Sequence, residues 1–168
     1  DSYSGGKYVQ DSGADLFRRS VYTWWKRTCP PPGLNTFDAP DREFCSVQRA
    51  RTNTPLQALV LLNDPTYVEA ARGLASRVLS MNLMSDDFRG QEIFRVATGR
   101  QPTLIENQVL LSSFTSELER FQKTPGAAIA LLDIGESKVG RTLPVDQLAA
   151  WTVVASMILN LDEVITLH

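Results

Sequence analysis

Apolar positions recur along most of the chain at the three- and four-residue steps of a helix, and no segment keeps up strand alternation. In "LLSSFTSELERF", Leu111, Phe114, Leu118 and Phe121 follow at 3-4-3 spacing, and Leu148, Trp151, Ala155 and Ile158 repeat it. Val68, Ala71, Ala75 and Val78 mark the buried side of a helix running to about residue 81. Phe17, Val21, Trp24 and Thr28 predict a helix over "DLFRRSVYTWWKRT", with Asp15 as its N-cap. "PLQALVLLN" is apolar on nearly every side, which predicts a central, buried helix.

The polar positions between these stripes divide the helices. Thr54–Pro55 and Asp64–Pro65 each pair an N-cap with a proline, whose missing N–H costs nothing in the first turn. The chain therefore breaks at residues 63–64 and restarts in a new direction. Ser85 caps a helix over "DDFRGQEIFRVAT", where Asp86 and Asp87 meet the positive end of the helix dipole and Gly99 suits the left-handed position past its end. Thr103 and Glu106 form a capping box, and Asn160 with Glu163 predicts a cap for a last turn, "LDEVI".

"CPPPG" is read as a helix stop. "LNTFDAPDRE" is an ordered loop leading into a short helix around 41–50, with Asp38 as cap and Asp41 at its third position. "TPGAAIALLDIG" is a short apolar helix ending at Gly135, and "ESKVGRTLP" an exposed loop. The expected fold is all-α: an irregular domain of about seven to eight helices with a long ordered Pro/Asp/Arg-rich loop. Residues 1–14 read as a linker from the upstream part of a longer protein, and 15–168 as a single helical domain.

Composition is ordinary for a globular chain of 168 residues, with 43% hydrophobic and 21% charged residues. No apolar run, 58–62 among them, is nearly long enough to span a bilayer. The net charge of -2 gives no nucleic-acid signature, but the charge is uneven. Residues 16–51 carry seven bases and three acids, whereas 52–168 carry nine bases and thirteen acids. That asymmetry fits internal charge complementarity, or a patch for an anionic partner. Cys29 and Cys45 could close a short loop worth about 3 kcal/mol if oxidised, but two cysteines match neither a zinc site nor haem attachment. His168 is the sole histidine, which removes most zinc chemistry and the Ser-His-Asp and Cys-His arrangements within this chain.

The richest polar constellation is Asp38, Asp41, Arg42, Glu43, Arg49, Arg51 and Asn53. Two readings stand side by side: a network of caps and ion pairs that pins a loop, and a grip on sulfated or carboxylated glycans, which guanidinium groups match bidentately. The acids are too interleaved with arginine to make a calcium cage. Trp24 and Trp25 are adjacent on their expected helix and cannot face the same way, so one is core and the other either packs against the prolines 30–32 or stacks on a sugar or a neighbouring domain. Asp86/Asp87 and Asp162/Glu163 read as helix-start charges. No phosphate loop or nucleophile motif is present, and no catalytic residue is assigned.

The long stretch "DLFRRSVYTWWKRTCPPPGLNTFDAPDREFCSVQRARTNTPLQALVLLNDPTYVEAA", followed by "GRQPT" and "LPVDQLAAWTVVASMILNLDEVIT", resembles the planctomycete-specific C-terminal domain of unknown function. The resemblance covers residues 15–166. It implies the end of a large exported protein, periplasmic, cell-surface or extracellular, with the upstream domain of the same chain as partner. Haem would belong to a predicted c-type cytochrome domain further upstream, and no cofactor to this domain. Cys29 stands where the family carries Ala, so the resemblance implies no Cys29–Cys45 bridge. The expected function is an accessory or interaction domain. Binding of anionic glycans and part of an enzyme site completed upstream are the alternatives.

Overall fold

The protein is described by a computed structural model over residues 11–23, 25, 30–40, 44–48, 52–81, 85–137 and 143–166. Among them lie eight α-helices and no strand, so the all-α expectation holds. The helices are α1 (Pro32–Thr36), α2 (Pro55–Asn63), α3 (Pro65–Leu79), α4 (Asp86–Thr98), α5 (Leu104–Lys123), α6 (Pro125–Leu132), α7 (Val145–Leu159) and α8 (Asp162–Ile165). The chain divides into two compact units, Asp1–Val60 and Leu61–His168, and α2 runs across the division.

In the second unit the apolar stripes meet around α7. Its residues Leu148, Ala149, Ala150, Trp151, Val154, Ala155 and Ile158 are all buried, and it packs against α3, α4, α5, α6 and α8. Small residues on both α3 (Ala71, Ala75) and α7 let those two helices approach closely. Trp151 stacks on Phe114 of α5, with ring centroids 4.2 Å apart and planes 16° from parallel. Gly90 of α4 faces the edge of that indole, where a Cβ would lie 3.3 Å from Trp151 Cη2.

The local helix signals are realised where they were expected. Asp64 accepts the Thr66 N–H at 2.8 Å, Ser85 caps α4, and Gly99 closes it at φ +80°. Thr103 and Glu106 make both halves of the capping box at the start of α5. The expected Asn160 cap is not made. Leu161 holds the N-cap position of α8 without a side-chain bond, and Asn160 instead closes α7.

The first unit departs further from expectation. Residues 15–28 were expected as one helix, but the described part is two 3-10 turns, Gly13–Phe17 and Ser20–Tyr22, separated by extended backbone at Arg18 and Arg19. Asp15 does not cap; it pairs with Arg18 at 2.7 Å. Val21 and Tyr22 remain exposed, and Val21, Tyr22 and Thr23 are weak helix formers, so burial at these positions does not offset their low propensity. The triple proline starts a helix where a stop was expected: Pro32 occupies the first position of α1, where proline is tolerated. The helix expected around 41–50 is absent at residues 44–48, and its remaining positions lie outside the described residues.

The expected central helix α2 is only partly buried. Gln57 and Leu61 are buried, but Leu56, Leu59 and Leu62, three residues apart, turn an apolar edge outward.

Candidate functional site

Of the polar constellation singled out from sequence, the described members are Asp38 and Asn53. Asp38 is half-buried at φ +57°, a left-handed conformation that Asp adopts more readily than most residues. Its carboxylate accepts the Thr52 N–H at 2.8 Å and the Thr52 hydroxyl at 2.9 and 2.7 Å. It therefore ties two distant parts of the loop together; residues 41–43, where the helix it was expected to cap would begin, lie outside the described residues. Asn53 is exposed. Asp41, Arg42, Glu43, Arg49, Arg51 and Trp24 lie outside the described residues, while Trp25 is half-buried.

The hub of this network is Gln57, which the sequence reading did not single out. Its side chain is buried. Its amide oxygen accepts the Thr54 N–H at 2.9 Å, while its own backbone N–H donates to Thr54 Oγ1 at 3.3 Å, a reciprocal capping box. The amide nitrogen donates to the Thr36 carbonyl at 2.8 Å and to Thr52 Oγ1 at 3.0 Å. One side chain thus starts α2 and ties it to the end of α1. Thr-x-x-Gln before an apolar run was a legible signal for the first role.

A second polar cluster lies in the other unit, at Glu69 and Arg72 on α3. Their side chains are only 5% and 3% exposed, yet neither is directed to the apolar core. Arg72 Nη1 donates to the Leu132 carbonyl and, at 2.6 Å, to that of Ile134. Its Nη2 donates to the carbonyl and hydroxyl of Ser137 at 2.8 and 2.9 Å. Glu69 accepts the N–H groups of Glu136 and Ser137 at 3.2 and 2.5 Å. Gly135 immediately precedes them at φ +91°, and a Cβ there would overlap the Glu69 carboxylate. Burial pushes the Glu69 pKa up. The hydrogen bonds from Ser137 and Glu136 and the nearby Arg72 charge outweigh it and hold the carboxyl below its usual value.

A third cluster joins the ends of three helices. Arg100, just past α4, donates through Nε and Nη2 to Glu163 of α8 at 3.0 and 2.8 Å. Through Nη1 and Nη2 it donates to Glu106 of α5 at 2.9 and 2.7 Å. Its guanidinium carbon also lies 4.8 Å from the centre of the Phe94 ring. The bonds from Arg100 and from the Thr103 N–H lower the Glu106 pKa to about 2. Asp86 and Asp87 are engaged as well: Asp86 by Arg89 at 2.7 Å, and Asp87 by Gln91 at 2.8 Å and Asn107 at 2.6 Å.

These arrangements fix backbone; each carboxylate in them is occupied by donors from the chain itself. Among the described residues no group of three or more His, Cys, Asp or Glu could hold a metal ion. Nor is any helix among them long and apolar enough to cross a membrane. Cys45 is an exposed, free thiol, and Cys29 lies outside the described residues.

A family model described as "PSD1: Protein of unknown function (DUF1553)" matches residues 2–114. The chain belongs to the PSD1 family. The PSD1 match takes in the Asp38–Thr52–Gln57 network, the Glu69 and Arg72 positions, and Arg100 with Glu106. The loop that Glu69 and Arg72 hold, and Glu163, lie beyond it. No curated protein matches the chain, and no solved structure matches it.

Proposed function

We propose that the chain is an accessory, interaction-forming domain whose N-terminal unit packs on a neighbouring part of the same polypeptide. One observation carries this reading: the described residues of the first unit form an ordered polar network but no apolar core. Among its described residues no aliphatic or aromatic side chain but the Pro31 ring is buried. Val21, Tyr22, Phe44 and Val47 are each more than two-thirds exposed, and Leu56 and Leu59 more than half. Ordering a chain segment costs about 1–2 kcal/mol per residue in backbone entropy, which burial of apolar surface normally offsets. A segment that presents its apolar residues outward gains that burial when a partner covers them.

The resemblance supports a parent that is exported, of planctomycete type, with further domains upstream and in some members a haem-bearing cytochrome domain among them. The partner is then the domain immediately upstream.

Hydrogen exchange over residues 11–60 tests the proposal, measured in the isolated chain and in the parent polypeptide. Exchange slower by about tenfold or more in the parent is expected, with Leu56→Asp/Leu59→Asp abolishing the difference. Equal protection in both forms, with no binding of an apolar dye to the isolated chain, would overturn it.

A further inference from the structure

Glu69 and Arg72 are buried charges whose bonds run almost entirely to one short loop. Every hydrogen bond described for the two side chains ends on Leu132, the last residue of α6, or on the loop after it, and most end on backbone. Their mutual contact, 3.5 Å between Arg72 Nη2 and Glu69 Oε1, is the longest in the cluster. They are thus less an ion pair than two hands on the same strap. The loop is shaped to receive them: Gly135 takes a left-handed conformation, and its missing Cβ leaves the space that the Glu69 carboxylate fills. Successive N–H groups after such a residue form a cradle for an anion, and here the anion is the protein's own carboxylate. The side chains of Asp133, Glu136 and Ser137 meanwhile lie on the exposed surface.

A buried charge pair seldom adds stability over apolar residues of the same volume, but removing one partner leaves the other stranded. The core gains little from this pair, because the buried apolar cluster from Ala71 to Ile158 is complete without it. The N–H groups of Asp133 and Ile134 bond back into α6, whereas Glu136 and Ser137 are tied to α3 through the pair. We propose that Glu69 and Arg72 form a latch that holds loop 133–137 shut on α3, and that this loop opens as a unit separate from the helical core. Its closed state depends on the Glu69 charge and on the absence of a side chain at Gly135.

Native-state hydrogen exchange reads the two parts separately: the Glu136 and Ser137 N–H groups report the loop, and the Trp151 and Val154 N–H groups the core. Glu69→Gln keeps the shape and removes the charge. It should speed exchange at Glu136 and Ser137 by about tenfold or more beyond any change at Trp151 and Val154. Gly135→Ala leaves both charged residues in place and should open the loop in the same selective way. Equal acceleration of loop and core in both variants would overturn the latch, as would no acceleration in the loop. A Glu69→Gln chain that does not fold would overturn it too, since the pair would then be holding the whole unit. In that case Gly135→Ala should also unfold the core.

Discussion

A Cβ at Gly90 would press on Trp151 at 3.3 Å, and the indole has no room to retreat because Phe114 is stacked on its face. Gly90→Ala asks for a shift of a few tenths of an ångström and returns up to about 1 kcal/mol of helix propensity. We expect it to be close to neutral. Gly90→Val adds two further carbons against the same ring and should destabilise by about 1–3 kcal/mol. Thermal unfolding of the two variants checks this: a valine variant as stable as the alanine one would show that the α4–α7 contact is loose. Gln57 shows how much of a residue's role is legible. Its capping of α2 lies within Thr54–Gln57 and is readable from four positions. Its bond to the Thr36 carbonyl spans 21 residues and has no local signature.

At the scale of elements, the start of α5 depends on Arg100. Glu106 is held at a pKa of about 2 against a usual 4.5, chiefly by the Arg100 side chain and then by the Thr103 N–H. Because the folded value is depressed, the contribution is present above about 4.5 and is lost as pH falls through about 2. Helicity followed down this range should therefore fall, and Arg100→Met should shift that fall to higher pH. An unchanged acid profile in Arg100→Met would show that the clamp contributes nothing to the helix start. Helix beginnings at α2 to α5 were legible because caps are local. Arg100 was not, because its second partner, Glu163, lies 63 residues away. α1 and the 3-10 turns were misjudged for a related reason. Proline both ends and begins helices, and an apolar stripe forms a helix only when something covers it.

For the whole molecule, the buried apolar cluster lies entirely after residue 70, within the second unit. A chain of residues 61–168 should therefore unfold cooperatively in urea by itself. A broad, non-cooperative transition would show that the first unit is needed to complete that core. The all-α class, the strongest helix starts and the α3, α5 and α7 core stripes were determined by the sequence itself, since periodicity and capping act within one or two helical turns. Only the tertiary structure decided that Leu56, Leu59 and Leu62 of α2 face outward, that Glu69 and Arg72 are buried against a loop, and that Arg100 joins three helix ends. Those outcomes depend on which distant segments meet, and a pattern of local spacings carries no record of that.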